Sequence, residues 1–400
     1  MPELNISDFD YQLPNESIAL YPIKDRDTSK LLIYKNGVIE DTIFNKITKH
    51  IPEHSNLFFN NTKVIRARLI FYKQGGTRIE VFCLEPHLMD ISSAFSQVKN
   101  CFWKCYIGNK KRWKGEVLSM TINENNQTIN LSAEFIKEEE DVFVVKFSWQ
   151  PETLTFSEVL LKAGKIPLPP YIKREAETSD SDYYQTIYAN SEGSVAAPTA
   201  GLHFTPKTFN SFSTKHIKTN FITLHVGAST FKPVVENDAN NHNMHNENFI
   251  VSYDTLCSLI KENENIIAVG TTTARTLESL YWLGVKTIID DSFSDKLLQW
   301  DAYKPQYNTS ISFSESLEAI KKQLVNISLD SIQATTSLMI VPGYKFRVIK
   351  GLITNFHQPC STLLFLVSAF IGNDWKRVYT YAIENNYRFL SYGDCCFFMP

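Results

Sequence analysis

Three histidines in this 400-residue chain stand where a patterned run gives way to a polar turn. They are His203 in "GSVAAPTAGLHFTP", His225 in "FITLHV" and His357 in "GLITNFHQP". An imidazole titrates near neutral pH, so three of them on one rim would serve general acid–base chemistry. Taken singly, each is equally an ordinary structural histidine. Glu247, in "HNMHNE", is a further proton-transfer candidate. His242, His245 and Glu247 have the donor types of a metal site, but their Asn-rich stretch lacks the helical spacing that would fix them, so no metal is expected. No Gly-x-Ser-x-Gly elbow accompanies the histidines, which argues against a serine hydrolase.

A second chemistry is offered by Thr271, Thr272 and Thr273, between the apolar "IIAVG" and the helical "TTTARTLESLYWLG". Free N–H groups at a helix start favour a carboxylate or phosphate, and Arg275 in the first turn could pair with that anion. The plainer alternative is a capped helix with a surface arginine. The chain has neither a P-loop nor a Gly-x-Gly-x-x-Gly after a strand, so no dinucleotide cofactor is expected. In "NKKRWK", Lys110, Lys111, Arg112 and Lys114 surround Trp113. That pattern suits phosphates and a stacked base, or simply a solvated hairpin tip. Glycine is scarce: 15 residues, where average usage of about 7% would give about 28. Yet residues 193–206 hold two glycines, three alanines and two prolines, as if something must come close to the chain there.

The elements that must position these groups show a rhythm of strand, polar turn and helix. "FITLHV", "IIAVG" and "GLITNFHQP" read as buried strands; "TTTARTLESLYWLG" and "STLLFLVSAF" read as helices. "PKTFNSF" starts a helix with Thr205 as N-cap and Pro206 in the first position. Ligands of open α/β sheets bind beyond the carboxyl ends of strands, which predicts one pocket lined by His225, the threonine turn, Asn355 and His357, with His203 beside them. Upstream, "KLLIYKNGVIED" predicts a hairpin turning at Asn36-Gly37. From 64 to 149 the character changes: six short runs rich in β-branched and aromatic residues, from "VIRARLIFY" to "DVFVVKFSW", predict a small barrel or sandwich. A helix, "TFSEVLLKAG", follows. The expected fold is α/β, with a catalytic domain of 1–62 and 151–400 interrupted by a β-barrel at 63–150. "SESLEAIKKQLVN" reads as a peripheral amphipathic helix.

Composition narrows the class. The longest apolar run, "TLLFLVSAFI", is too short to span a bilayer, and the first residues lack a signal-like apolar core, so a cytosolic protein is expected. Seven cysteines without a Cys-x-x-Cys pair imply reduced, packed thiols. A net charge of −3 argues against nucleic-acid binding by bulk electrostatics and leaves that task to local patches.

"GSVAAPTAGLHFT" resembles the signature of the S-adenosylmethionine:tRNA ribosyltransferase-isomerases of queuosine biosynthesis. "LPPYIKR", "YQTIYA", "TLHVGASTFKPV", "MHNE", "GTTTARTLESL", "PGYKF", "TNFHQPCSTLLFLVSAF" and "YRFLSYGD" agree in order. The resemblance implies an α/β fold interrupted by a barrel, S-adenosylmethionine as co-substrate with no further cofactor, tRNA as partner, and a cytoplasmic monomer. It implies transfer and isomerisation of the ribosyl unit onto the aminomethyl group of a 7-deazaguanine, with loss of adenine and methionine. Placement and resemblance together give His203, His225, His357 and Glu247 as acid–base candidates. They give Thr199, Ala200, Gly201, Thr271, Thr272, Thr273, Arg275, Asn355 and Asp394 as substrate contacts, and Lys110, Lys111, Arg112 and Lys114 as tRNA contacts. The chain departs from the family pattern at Asn61, Lys63, Arg66, Ser229 and Cys360. Those departures keep two other readings open: an enzyme acting on a different acceptor, or a non-catalytic tRNA-binding relative.

Overall fold

The computed structural model describes residues 4–124, 127–227, 238, 241–261 and 264–400. Among these, the larger sheet has ten strands, in the order Lys296–Leu297, Ser331–Thr336, Glu247–Ser252, Lys218–Leu224, Asn56–Asn60, Ile266–Val269, Gly351–Asn355, Cys395–Met399, Lys30–Lys35 and Val38–Ile43. Its four middle strands, Lys218–Leu224 to Gly351–Asn355, are mutually parallel. Three of them, starting at Asn56, Ile266 and Gly351, are buried along their whole length, because layers cover both faces. Side chains alternate between those layers. Leu57, Phe59, Ile267 and Val269 face a cluster with Phe204 and Phe212, whereas Phe58, Ile266, Ala268 and Leu352 face Leu277, Leu280 and Leu364 on the opposite side. The parallel strands therefore end together, and the Thr271–Ile289 and Thr362–Ile371 helices start from that edge.

Local signals act as expected. Asn36 and Gly37 take positive φ of 47° and 81°, the two left-handed positions of a tight hairpin turn. Thr205 caps the Pro206–Ser211 helix through Thr208 N–H. The Phe313–Asn326 helix corrects the peripheral reading. It buries Leu317, Ile320 and Leu324 in the main core and presses on the long helix at Gly284, where a Cβ would lie 2.1 Å from the Ser316 carbonyl.

Among the described residues the second sheet has six antiparallel strands, all in the stretch Arg68–Gln150, curled into a barrel-like layer. Its core contains Trp103, Phe147 and Trp149, and the Phe156–Ala163 helix closes it with Phe156, Val159 and Leu160. A capping box between Thr155 and Glu158 starts that helix. The first residue of "VIRARLIFY" belongs elsewhere: Thr62–Val64 pairs with Ser191–Ser194 in a separate two-stranded ribbon, while Ile65 and Ala67 already pack in the barrel core. The seven cysteines are all unpaired. No helix among the described residues is long and apolar enough to cross a membrane.

Candidate active site

At the carboxyl edge of the parallel strands lies a cleft enclosing about 850 Å³ of space, part of it open to solvent. One wall is the small-residue segment Ala196–Ala200. Ser194 ties that segment to the neighbouring strand end. Its hydroxyl donates to Ala196 O at 2.7 Å and accepts from Val226 N–H at 3.0 Å. A second wall is the start of the long helix, at Gly270, Thr271 and Thr272. Gly270 has φ of 94°, a left-handed conformation that needs glycine, and no side chain caps the helix. The N-terminal N–H groups of a 19-residue helix are thus presented at the cleft. Thr273 is turned back, donating to Val269 O at 2.7 Å.

The third wall is Thr354–Gln358. Asn355 is held at both ends of its amide. Its Oδ1 accepts from Thr199 Oγ1 at 3.0 Å, and its Nδ2 donates to His203 Nε2 at 3.2 Å and to the Asp394 carbonyl at 3.4 Å. With Nε2 of His203 accepting, the ring proton sits on Nδ1, 2.8 Å from Ser29 Oγ. Burial pushes His203 down to about 4, so the ring is neutral at pH 7. His203 therefore holds Asn355 from behind and does not itself line the cleft.

The expectation of three histidines on one rim is corrected. His357 alone of the three lines the cleft. Its Nε2 lies 3.0 Å from Thr354 Oγ1, and burial pushes its pKa down to about 3. Its backbone is pinned from both sides: its N–H donates to the Tyr379 hydroxyl, and the Tyr11 hydroxyl donates to its carbonyl. His225 faces away, because successive side chains leave a strand end on opposite sides. Val226 meets the cleft, while the His225 ring bonds Thr62 Oγ1 at 2.9 Å and lies over Gly193, where a Cβ would be 2.8 Å from the ring. Burial pushes His225 down to about 4.

Arg275 and Glu247 also lie elsewhere. The guanidinium Nη2 is 2.7 Å from the Glu247 carboxylate, both side chains are buried, and Arg275 lines a small adjoining pocket that shares Thr271, Thr362 and Leu363 with the cleft. Arg275 is thus charge-compensated already, and Glu247 is engaged by it. Among the described residues no cluster of three or more His, Cys, Asp or Glu is arranged for a metal. The Asp394 carboxylate accepts from Lys30 N–H, Arg388 N–H and the Arg388 guanidinium, so it fastens the C-terminal turn outside the cleft. Gly201 has a different reason for being small. It does not line the cleft; a Cβ there would lie 1.9 Å from the Tyr188 hydroxyl. Thr199 and Ala200 do line it.

In "NKKRWK" the aromatic is not free to stack: Trp113 is buried in the barrel core and donates to Glu116 O. Lys110 rests 4.4 Å over the Phe135 ring, leaving Lys111, Arg112 and Lys114 exposed. Of the departures, Asn61 accepts from Thr223, Lys63 pairs with Glu192, and Arg66 donates to Leu161 O and Ser181. Cys360 adopts φ of 52° beside the cleft's Ser361. Ser229 lies outside the described residues. Residue-type reasoning passed over Tyr171, Gln358 and Ser391, which line the cleft. Tyr171 and Ser391 share a 2.6 Å hydrogen bond, and burial pushes the Tyr171 hydroxyl up to about 12. Their signal was present in "LPPYIKR", "HQP" and "SYGD", each a polar or aromatic group beside a Pro or Gly turn.

Comparison with known proteins identifies the family. A family described as "Queuosine biosynthesis protein" matches residues 6–398. An S-adenosylmethionine:tRNA ribosyltransferase-isomerase of Sulfurihydrogenibium sp. is 37% identical over 98% of both chains. The protein of the same name from Thermoanaerobacter sp. is 38% identical over 97% of this chain and 98% of its own. A solved S-adenosylmethionine tRNA ribosyltransferase from Thermotoga maritima aligns with 98% of this chain and 99% of its own, at 27% identity and a TM-score of 0.46. With the family matched almost end to end and relatives well above 30% identity, the chain belongs to the queuosine biosynthesis family of S-adenosylmethionine:tRNA ribosyltransferase-isomerases.

Proposed function

We propose that this chain transfers and isomerises the ribosyl unit of S-adenosylmethionine onto 7-aminomethyl-7-deazaguanine in tRNA, releasing adenine and methionine and leaving epoxyqueuosine-tRNA. S-adenosylmethionine enters as co-substrate, and no cofactor is invoked. The carrying observation is a cleft with an uncapped helix start on one wall and a neutral imidazole on another. The helix start suits the methionine carboxylate. The small wall at Ala196–Ala200 leaves room for a nucleoside close to the backbone, and Thr199 and Asn355 offer it hydrogen-bonding groups.

The sulfonium acidifies the C5′ hydrogens, so the reaction needs a base; adenine leaves better protonated, so it needs an acid. His357 starts neutral and accepts the C5′ proton. Once protonated it is a strong acid, because burial disfavours its charged form, and it returns one proton to the departing adenine. One proton is taken from C5′ and one delivered to adenine, so a single imidazole serves both steps; the proton displaced from the amine as its N–C bond forms leaves to solvent. We place the enzyme in the cytoplasm as a monomer.

The test is incubation with S-adenosylmethionine and tRNA carrying the aminomethyl precursor. The expected result is adenine, methionine and modified tRNA in equal amounts. Adenine without modified tRNA would favour a different acceptor, and no turnover would favour a binding protein. His357→Gln should slow single-turnover chemistry by about 10²- to 10⁴-fold while S-adenosylmethionine affinity changes little. An unchanged chemical step would remove His357 from this role.

A further inference from the structure

A second large cavity, about 1010 Å³, lies where the barrel meets the α/β layer. Arg68, Arg78 and Glu80 come from the barrel side, and Lys165, Lys173 and Glu175 from the segment that follows the Phe156–Ala163 helix. Arg174 also lines it but is offset by Asp180, through bonds of 2.7 and 2.8 Å. The remaining four cations face two carboxylates, so the groove is positive in a chain of net charge −3. Glu80 is shared between Arg68 at 2.9 Å and Arg78 at 3.2 Å. Glu175 is different. Its side chain is 74% exposed, and its two oxygens reach across to Arg78 at 3.9 Å and Lys165 at 3.5 Å. Charge-assisted hydrogen bonds run at about 2.7–2.9 Å. One loose carboxylate thus stands between a cation from each side.

We infer that this groove seats the tRNA sugar-phosphate backbone, with a phosphate taking the place of Glu175 between Arg78 and Lys165. The inference rests on the tRNA reading above and gives it a location. Position supports it as well as charge. Pro170 and Ile172 line the groove while Tyr171, between them, lines the cleft, so a single turn of chain separates the two. A strand whose backbone lies in the groove can direct a base past Tyr171 into the cleft. Phosphate contacts of this kind fix register without reading sequence. The groove therefore takes precedence over "NKKRWK", whose aromatic is buried and whose Lys110 is already seated on Phe135.

Two variants should act in opposite directions. In Arg78→Ala/Lys165→Ala/Lys173→Ala, each lost contact should weaken binding of a full-length tRNA transcript about fivefold near 0.1 M salt and shallow the log–log salt slope by about 0.7–0.9. Glu175→Gln should tighten binding, because the resident carboxylate no longer competes. All four side chains are at least partly exposed, and S-adenosylmethionine affinity by calorimetry should stay unchanged in both proteins. If the triple variant matches wild type in affinity and slope while wild type binds and modifies tRNA, the groove is overturned and the enzyme reading stands. If wild type binds no tRNA at any salt, both fall. Weaker binding in Glu175→Gln would also overturn the exchange of carboxylate for phosphate.

Discussion

A Cβ on Gly201 would meet the hydroxyl of Tyr188 at 1.9 Å, and the tyrosine ring packs against Phe59, Phe209 and Phe221. Gly201→Ala should therefore destabilise the protein by about 1–3 kcal/mol, the usual cost of overpacking a core. Tyr188→Phe removes the nearest clashing atom and leaves Cζ as the ring's closest, at 2.9 Å, so the double variant should recover part of that loss. Chemical unfolding of the two single variants and the double variant checks this, and strict additivity would show that the two residues do not interact. The sequence marked the stretch as one of close approach but could not say approach by what. The same limit applies to the histidines. Chain position placed His203, His225 and His357 at element ends, and all three are there. Which side each ring takes depends on strand phase and on partners such as Thr62, Ser29 and Thr354, which are remote or unremarkable in sequence.

At the scale of elements, the Arg275–Glu247 pair joins the start of the long helix to the Glu247–Ser252 strand. Breaking one side of a buried pair leaves a charge without compensation, at about 3–5 kcal/mol. Arg275→Ala should lose about that much stability. Arg275→Met with Glu247→Leu should recover most of it, since apolar replacement of a buried pair is often neutral. If the helix N–H groups are the carboxylate seat, the double variant keeps S-adenosylmethionine affinity within a few-fold. A large loss of affinity in a well-folded double variant would instead make Arg275 a direct ligand. The strand–turn–helix unit was legible here because Gly270, the threonines and the helical periodicity are all local. The partner of Arg275 was not, because Glu247 sits 28 residues away on a strand whose neighbours are set by sheet order.

Across the whole molecule, the inserted barrel was legible from its six strand runs, but its closing helix was not assigned to it. The Phe156–Ala163 pattern shows which face is apolar without showing which core receives that face. The same long-range packing shapes the response to acid. Burial holds His203 and His225 at about 4 and His357 at about 3, against about 6.5 in an unfolded chain. Below about pH 6.5 the unfolded chain then binds more protons than the folded one, so stability falls as pH drops from there toward 4. Carboxylates add a second stage of the same sign. Burial works to raise the Asp180 carboxyl, but Arg174, Glu177 N–H and Tyr392 outweigh it and hold it below its ordinary value. Its contribution is present above the unfolded carboxylate pKa and is lost as pH falls through the folded one. Denaturant titrations from pH 8 to 3 (about one unit apart) should show stability declining first between about 6.5 and 4, then more steeply. His225→Gln should flatten the first stage, because a neutral amide there has no proton to gain and His225 lies outside the cleft. Equal stability at pH 7 and pH 5 would mean that the imidazoles reach water on a scale the folded packing does not provide.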